Sequence, residues 1–177
     1  MDNYIGIDLG TSALKALLVR EDGEIIAKAS VPYECSHPQK YWSEQEPTWW
    51  FDACKQAIRD LVKISENSKV RAIGIAGQMH GLVMLDKDDN VIRPAILWND
   101  GRSQEETDYL NNEIGKAKLT ELTGNIAFAG FTAPKILWVK KNEPENFKKT
   151  VKIMLPKDYL VYRLSGAFTT DYSDASG

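Results

Sequence analysis

The residues near the start of the chain that could do chemistry are a carboxylate, a glycine and two hydroxyls, placed between two apolar runs. Asp8 closes the first run and could hold a cation or the waters around it. Gly10 would let a ligand approach the backbone, and a tight turn through Thr11 and Ser12 would point amide groups outward as an anion-binding nest. The stretch therefore predicts a phosphate-binding turn between two strands, and an ordinary hairpin with polar turn residues is the alternative.

A histidine and its neighbours form the second candidate site, in a loop that follows the apolar run 70–76. Ligands of open α/β sheets gather at the carboxyl ends of strands, and His80, one of only two histidines, would lie at such an end. Glycines flank the segment Gln78, Met79 and His80 and would let a ligand come close. This combination favours a binding loop over the alternative, a structural histidine beside a core methionine.

An aromatic side chain and two hydrogen-bonding side chains form the third candidate site, at the end of the apolar run 95–97. Trp98 offers a flat apolar face, and Asn99 and Asp100 can bond to paired hydroxyls. That combination suits a sugar, which carries both C–H faces and hydroxyl groups. The alternative is equally open, because Asn99 and Asp100 could cap the next helix while Trp98 lies in the core.

These stretches need a scaffold that positions the ends of strands. Strands predicted at 4–8, 14–19 and 25–31 are joined by short turns and form an antiparallel meander. Apolar residues three and four apart predict a helix over 47–64, and a β-branched run predicts a buried strand over 70–76. The other predicted elements are strands at 82–85, 91–92, 95–98, 151–155 and 168–172, and helices at 102–112, 116–122, 133–141 (capped by Thr132) and 156–165. This order predicts an α/β domain with a mixed sheet.

The composition excludes several classes of function. A net charge of −3, with 27% charged residues, argues against a nucleic-acid surface and against disorder. The two cysteines stand apart and suggest neither a disulfide framework nor a zinc site. No run approaches the roughly 20 apolar residues of a membrane span, and the early first strand leaves no room for a signal peptide. A cytoplasmic protein without membrane or nucleic-acid partners is expected.

Taken in order, these stretches resemble the N-terminal half of the FGGY carbohydrate kinases, and within that family the xylulokinase-like branch. The phosphate turn alone is shared by the wider superfamily of actin, sugar kinases and heat-shock ATPases. The histidine loop and the Trp-Asn-Asp stretch narrow the resemblance to this branch. The matching segments lie at 5–19, 42–47, 74–81, 93–103, 130–142 and 155–166.

The resemblance implies a fold and an activity. The fold is a ribonuclease-H-like, actin-type ATPase domain with a mixed five-stranded sheet and flanking helices, covering residues 1–177 as a first, incomplete kinase domain without the C-terminal ATP-binding domain. The activity is that of a phosphotransferase with an alcohol acceptor, moving the γ-phosphoryl of ATP to a ketose, D-xylulose, to give D-xylulose 5-phosphate. A kinase for ribulose, glycerol, gluconate or fuculose is one alternative, and a non-catalytic binding module that reuses the fold is another.

The resemblance also assigns roles in the first hairpin. Asp8 matches the carboxylate that positions Mg²⁺ and its waters near the phosphates of ATP. Thr11, Ser12 and Lys15 match the phosphate-contacting positions, with Gly10 in the turn between them and Asp8. Lys15 stands where relatives often carry arginine. The hairpin is therefore expected to bind ATP and Mg²⁺.

For the sugar, the resemblance assigns Met79 and His80 to the pair that contacts the ketose. Weaker candidates for the same role are Gln78, Trp98, Asn99 and Asp100. The catalytic base of the family is an aspartate further along the chain, and no residue up to Gly177 matches it. We therefore expect a chain that binds sugar weakly, is inactive alone, requires the C-terminal kinase domain as its partner, and self-associates or forms a homodimer through its bare apolar face.

Overall fold

The computed structural model describes residues 2–65 and 69–175, which form two compact units. The sheet unit comprises Met1–Cys35 and Thr48–Gln78, and the helical unit comprises Ser36–Pro47 and Met79–Gly177. The two ends of the predicted kinase domain, Met1 and Gly177, lie outside the described residues. That domain assignment stays a prediction.

Runs of strands and runs of helices follow one another along the chain. In chain order the strands are β1 Asn3–Leu9, β2 Ala13–Arg20, β3 Ile25–Pro32, β4 Glu44–Gln45, β5 Val70–Gly77, β6 Val83–Leu85, β7 Ala95–Ile96 and β8 Lys152–Met154. The helices are α1 Pro47–Ile64, α2 Gln104–Tyr109, α3 Lys116–Thr123, α4 Thr132–Asn142, α5 Pro144–Lys149, α6 Pro156–Ser165 and α7 Tyr172–Ala175. A π-helical segment, Leu110–Gly115, joins α2 to α3.

The sheet unit is built on a mixed sheet with the order β3-β2-β1-β5. Strand β1 runs antiparallel to β2 and parallel to β5. Side chains alternate between faces, as the two-residue period of a strand requires, so β1 and β2 bury one apolar face. The same unit holds α1, whose apolar residues at helical spacing are fully buried: Trp50, Cys54, Ala57 and Leu61. The opposite face of β1 is exposed and carries Asp8.

The helical unit contains two small sheets, β4 with β7 and β6 with β8, both antiparallel. Its core consists of side chains from β6, β7, α4 and the residue before β6: Leu82, Met84, Ile96 and Val139. No helix in the described parts of the chain, 2–65 and 69–175, is long and apolar enough to cross a membrane.

The predicted α/β class with a mixed sheet and flanking helices is confirmed, but the main sheet differs in strand number. Among the described residues it has four strands rather than five. The remaining strands are only two or three residues long and pair with one another in the helical unit. Strands this short contribute too few ladder hydrogen bonds and too little apolar face to extend a larger sheet.

Several local predictions about strands are wrong. The predicted strand at 91–92 is only an isolated bridge between Val91 and Leu85. Strand β5 was predicted to be buried, yet most of its residues are exposed or half-exposed, because it lies at the edge of the sheet with only β1 beside it. The predicted strand at 168–172 is irregular backbone that leads into α7. Its apolar residue Phe168 is exposed, so no packed face selects an extended conformation there.

Candidate functional site

The turn after β1 has a geometry that only glycine fits well. The amide of Gly10 donates to the carbonyl of Ala13 at 3.2 Å, which closes the turn. A Cβ atom at Gly10 would lie 3.0 Å from that same carbonyl oxygen. The backbone therefore comes close to itself here, and the turn through Thr11 and Ser12 is held in one shape.

Tyr33, the residue after β3, fixes this turn from its other side. Its hydroxyl donates to the carbonyl of Gly10, and its amide donates to the carbonyl of Ser12 at 3.3 Å. Burial, assisted by the nearby Asp8 carboxylate, raises the pKa of the Tyr33 phenol above its usual range, so the hydroxyl remains a donor. The sequence placed Tyr33 in a loop without a role, because a contact across 23 residues leaves no local pattern.

Asp8 and Lys15 lie opposite each other in the β1–β2 register. They line an open cavity of about 520 Å³ on the exposed face of the sheet. Gly6 and Gly74, also in register, add no side chain to that face, and a Cβ at either would meet nothing within 4 Å. The result is a recess with one carboxylate and one ammonium, which suits a phosphate accompanied by a cation.

Gln78 is attached to this hairpin. Its amide donates to the carbonyl of Leu9 at 2.8 Å, and the Thr11 hydroxyl donates to its side-chain oxygen at 3.4 Å. Close packing accompanies these bonds, since a Cβ at Gly77 would lie 2.7 Å from the Cβ of Leu9. The structure therefore places Gln78 with the predicted phosphate turn, in the sheet unit, and the chain enters the helical unit at Met79.

The loop at Met79 and His80 has a strained backbone. Met79 is 44% exposed, and His80 has a φ of 58°, a value that non-glycine residues rarely adopt. The His80 ring lies against the ring of Phe131 with centroids 4.5 Å apart. The His80 amide donates to Oδ1 of Asp174 at 3.2 Å, and its ring Nδ1 lies 3.6 Å from the same oxygen.

Charged groups surround the imidazole of His80. Burial lowers its pKa below the ordinary value, the Asp174 carboxylate opposes that shift, and the Lys135 ammonium adds to it. An imidazole with a lowered pKa is neutral at pH 7 and keeps one nitrogen as a hydrogen-bond acceptor. His80 is therefore suited to bonding a hydroxyl group.

A fully buried lysine lies beneath this loop. Lys135 of α4 donates from Nζ to the carbonyl of His80 at 2.7 Å and to that of Gly130 at 2.5 Å. Thr132 was predicted to cap α4, but its hydroxyl donates to the His80 carbonyl at 3.2 Å, and the N-cap position is Phe131. The sequence missed Lys135, although a lysine four residues before buried Val139 on one helix face was a usable signal.

In the third predicted stretch, two side chains are exposed and one is buried. Trp98 is 43% exposed and Asn99 is exposed, so both side chains can reach a ligand. The Asp100 carboxylate is buried and accepts bonds from the Ser43 amide at 2.6 Å and from the Arg102 guanidinium at 2.7 and 2.9 Å. Asp100 therefore supports this loop from within, and Ser103 is the N-cap residue of α2.

The two sugar-site candidates of the helical unit are linked through Gly130. A Cβ at Gly130 would lie 2.6 Å from the carbonyl oxygen of Trp98, so the two backbones are in close contact. The carbonyl of Gly130 also accepts from Lys135, which in turn bonds to His80. The structure thus joins the Trp98 loop to the His80 loop through the backbone of Gly130 and the side chain of Lys135.

Comparison with known proteins identifies relatives over nearly the whole sequence. The family described as "FGGY family of carbohydrate kinases, N-terminal domain" matches residues 3–177. The xylulose kinase of Escherichia coli strain K12 is 47% identical over 174 residues, and that of Staphylococcus xylosus is 43% identical over 177 residues. These alignments cover 98% and 100% of this chain, but only 36% and 37% of the relatives.

Solved structures agree with these matches. A crystal structure from Brucella ovis, described as a xyloylose kinase, superposes with a TM-score of 0.93 at 44% identity, covering 99% of this chain and 37% of that one. Gluconate kinase from Lactobacillus acidophilus also gives a TM-score of 0.93, at 30% identity, covering 99% and 36%. The chain spans about a third of the length of the curated relatives it matches. It belongs to the FGGY family of carbohydrate kinases and corresponds to their N-terminal domain.

Proposed function

We propose that this chain is the N-terminal part of an ATP-dependent sugar kinase whose acceptor is a ketose, D-xylulose. The observation that carries the proposal is the identity of 47% and 43% to curated proteins named xylulose kinase, along nearly the full chain. The fold alone does not select the sugar, because a gluconate kinase superposes equally well. Kinases for other polyols or ketoses are therefore the competing assignment.

In this proposal the first hairpin holds the phosphates of ATP. Gly10 and Thr11 shape the turn through their bonds to Ala13 and Gln78, the Ser12 hydroxyl offers a donor, and Lys15 offers a positive charge on the same face as Asp8. Among residues 2–65 and 69–175, no three His, Cys, Asp or Glu side chains form a metal-binding group. A single carboxylate fits Mg²⁺, which usually keeps several waters and binds the substrate phosphates. The bound ion would neutralise charge on the transferring phosphoryl group.

The helical unit supplies the sugar contacts. Trp98 and Met79 present half-exposed apolar surfaces for the C–H faces of the ketose. His80 and Asn99 bond to its hydroxyls, while Asp100 holds the loop in place. Phosphoryl transfer depends mainly on such positioning and on charge neutralisation.

The catalytic base is proposed to lie outside these 177 residues. The chain by itself would then bind ketose weakly, would not turn it over, and would associate with a C-terminal kinase domain or with itself. Exposed apolar side chains of the sheet unit, such as Tyr4 and Ile73, are consistent with such association.

Binding of D-xylulose to the chain tests the sugar assignment. We expect millimolar D-xylulose to change the tryptophan fluorescence, because Trp98 is exposed beside the proposed sugar contacts. The same titration with gluconate and glycerol should give a smaller response. Trp98→Phe should remove the signal, and Trp49→Phe, on exposed helix surface, is the matched control. A folded chain that responds to gluconate or glycerol but not to D-xylulose would contradict the assignment.

A further inference from the structure

The buried lysine of α4 has an unusual set of partners. Burying an ammonium group is unfavourable unless its charge and hydrogen bonds are compensated. Within residues 2–65 and 69–175, Lys135 forms no ion pair, and its Nζ donates instead to the carbonyls of His80 and Gly130. The His80 carbonyl belongs to a loop proposed to contact the sugar, and Gly130 packs against the carbonyl of Trp98 in the other such loop. The lysine is therefore placed where it fixes those loops.

The His80 backbone needs such support. Its φ of 58° is an unfavourable conformation for a residue with a Cβ atom, and it persists only when surrounding contacts enforce it. Its carbonyl accepts from Lys135 and from Thr132, and its amide donates to Asp174. Side chains from two helices, α4 and α7, thus hold both sides of this one residue.

Asp174 also controls the ring of His80. Its Oδ1 lies 3.6 Å from Nδ1, and its Oδ2 lies 3.2 Å from Nζ of Lys157, so the carboxylate is itself oriented. Nδ1 has no hydrogen-bond partner among the described residues, so the carboxylate acts on the ring through its charge, which favours the tautomer with the proton on that nitrogen. Nε2 then carries the lone pair and can accept a hydrogen bond from a hydroxyl group.

We propose that Lys135 and Asp174 are positioning residues for the sugar loop: Lys135 fixes the strained His80 backbone through its carbonyl, and Asp174 fixes the amide and sets the ring tautomer. The inference rests on the proposed function only for the role of His80 in sugar binding. The positioning itself is a property of this chain and can be measured without any sugar.

Nuclear magnetic resonance of the histidine rings in the 177-residue chain provides the measurement. The chain has two histidines, so His37 serves as an internal reference. In the unmodified chain we expect neutral His80 to carry its proton on Nδ1 and to titrate at a lower pH than an ordinary histidine. A neutral His80 with its proton on Nε2 would overturn the role assigned to Asp174.

Asp174→Asn distinguishes the effect of the carboxylate charge on the His80 ring from a general loosening of the loop. The charged groups that face His80 are Asp174 and Lys135, with Lys157 behind Asp174. If the loop stays in place, loss of the carboxylate should lower the His80 pKa further and mix the tautomers. If the loop merely loosens, burial is lost and the pKa should rise toward its ordinary value. Asp108→Asn, on an exposed face of α2, should change neither property.

Lys135→Met tests the contact with the carbonyl. We expect the His80 pKa to rise because the nearby positive charge is removed. We expect D-xylulose to bind about tenfold more weakly because two carbonyls lose their donor. Lys140→Met, exposed on the same helix, is the control and should leave both properties unchanged. Should Lys135→Met not fold, Thr132→Val removes a weaker bond to the same carbonyl, and Thr132→Ser should restore it.

The outcomes distinguish the two proposals. Unchanged sugar affinity and an unchanged His80 titration in a folded Lys135 or Thr132→Val variant would overturn the positioning role. If the His80 ring shows the expected tautomer and titration but the chain does not bind D-xylulose, the positioning role is supported and the sugar role of His80 is contradicted.

Discussion

Replacing Arg102 by methionine is expected to destabilise the helical unit severely. The Arg102 side chain is 1% exposed and donates to Glu44 at 2.7 Å and to both carboxylate oxygens of Asp100. Its guanidinium also lies 3.7 Å from the centre of the Trp42 ring. Methionine would fill much of the volume but would leave two buried carboxylates with fewer partners.

The expected loss in the free energy of unfolding depends on the partners that the two carboxylates would keep. Among the described residues, Asp100 would keep the hydrogen bonds from the Ser43 amide and the backbone amide of residue 102, and Glu44 would keep Arg93 at 2.6 Å. Removing one partner of a buried ion pair costs about 3–5 kcal/mol, because the other charge is left desolvated and uncompensated. We expect the loss for Arg102→Met to lie in this range, with Glu44 partly protected by Arg93.

Urea denaturation of the 177-residue chain measures this loss as a change in the free energy of unfolding. Arg71→Met is the matched control, since Arg71 is 55% exposed and solvent screens its pair with Asp2, so the free energy of unfolding should change little. Adding Asp100→Asn to Arg102→Met should recover part of the loss, because the unpaired charge is removed. A loss below about 1 kcal/mol for Arg102→Met would refute this explanation of the buried ion pairs. So would strictly additive effects of Arg102→Met and Asp100→Asn on the free energy of unfolding.

Three further predictions concern residues around the two candidate sites. Tyr33→Phe should lower the free energy of unfolding by about 1 kcal/mol in urea denaturation, because the Gly10 carbonyl loses its donor; no loss would show that this bond is unimportant. Gly77→Ala should cost about 1–3 kcal/mol in the same assay, since its Cβ would lie 2.7 Å from another Cβ, whereas Gly6→Ala, with open space, is the control. Burial lowers the pKa of Lys135 to about 7, below its value in the unfolded chain, so the unfolded state binds more protons between pH 7 and 10. The stability of the chain relative to Lys135→Met should therefore rise with pH across that window, and a flat or falling difference would contradict it.

The first hairpin and the long helix were predictable because their signals are local. The alternation of residues in β1 and β2 and the short turn at Gly10 lie within about 15 residues of sequence, and the apolar spacing of α1 marks its buried face. The resemblance in sequence then supplied the family, which the match over residues 3–177 confirms.

Features that depend on distant partners were not predictable. The apolar run of β5 was interpreted as buried, because sequence cannot show that the strand lies at a sheet edge. Thr132 was predicted to cap a helix, and Asp100 to bond a sugar or cap the next helix; their contacts with His80 and with the Ser43 amide join distant residues and leave no local pattern. Lys135 and Tyr33 went unnoticed for the same reason, since their contacts join residues 55 and 23 positions apart.

The central claim is that this chain supplies the ATP-phosphate and ketose contacts of a xylulose kinase. Its most direct test is a chimera in which the chain replaces the matching 174 residues of the Escherichia coli xylulose kinase. We expect ATP-dependent phosphorylation of D-xylulose with a higher kcat/KM than for gluconate, glycerol or ribulose. Asp8→Asn should abolish this activity, and Asp22→Asn, in an exposed turn, should not. A folded chimera that phosphorylates another polyol in preference to D-xylulose, or that keeps full activity with Asp8→Asn, would contradict the claim.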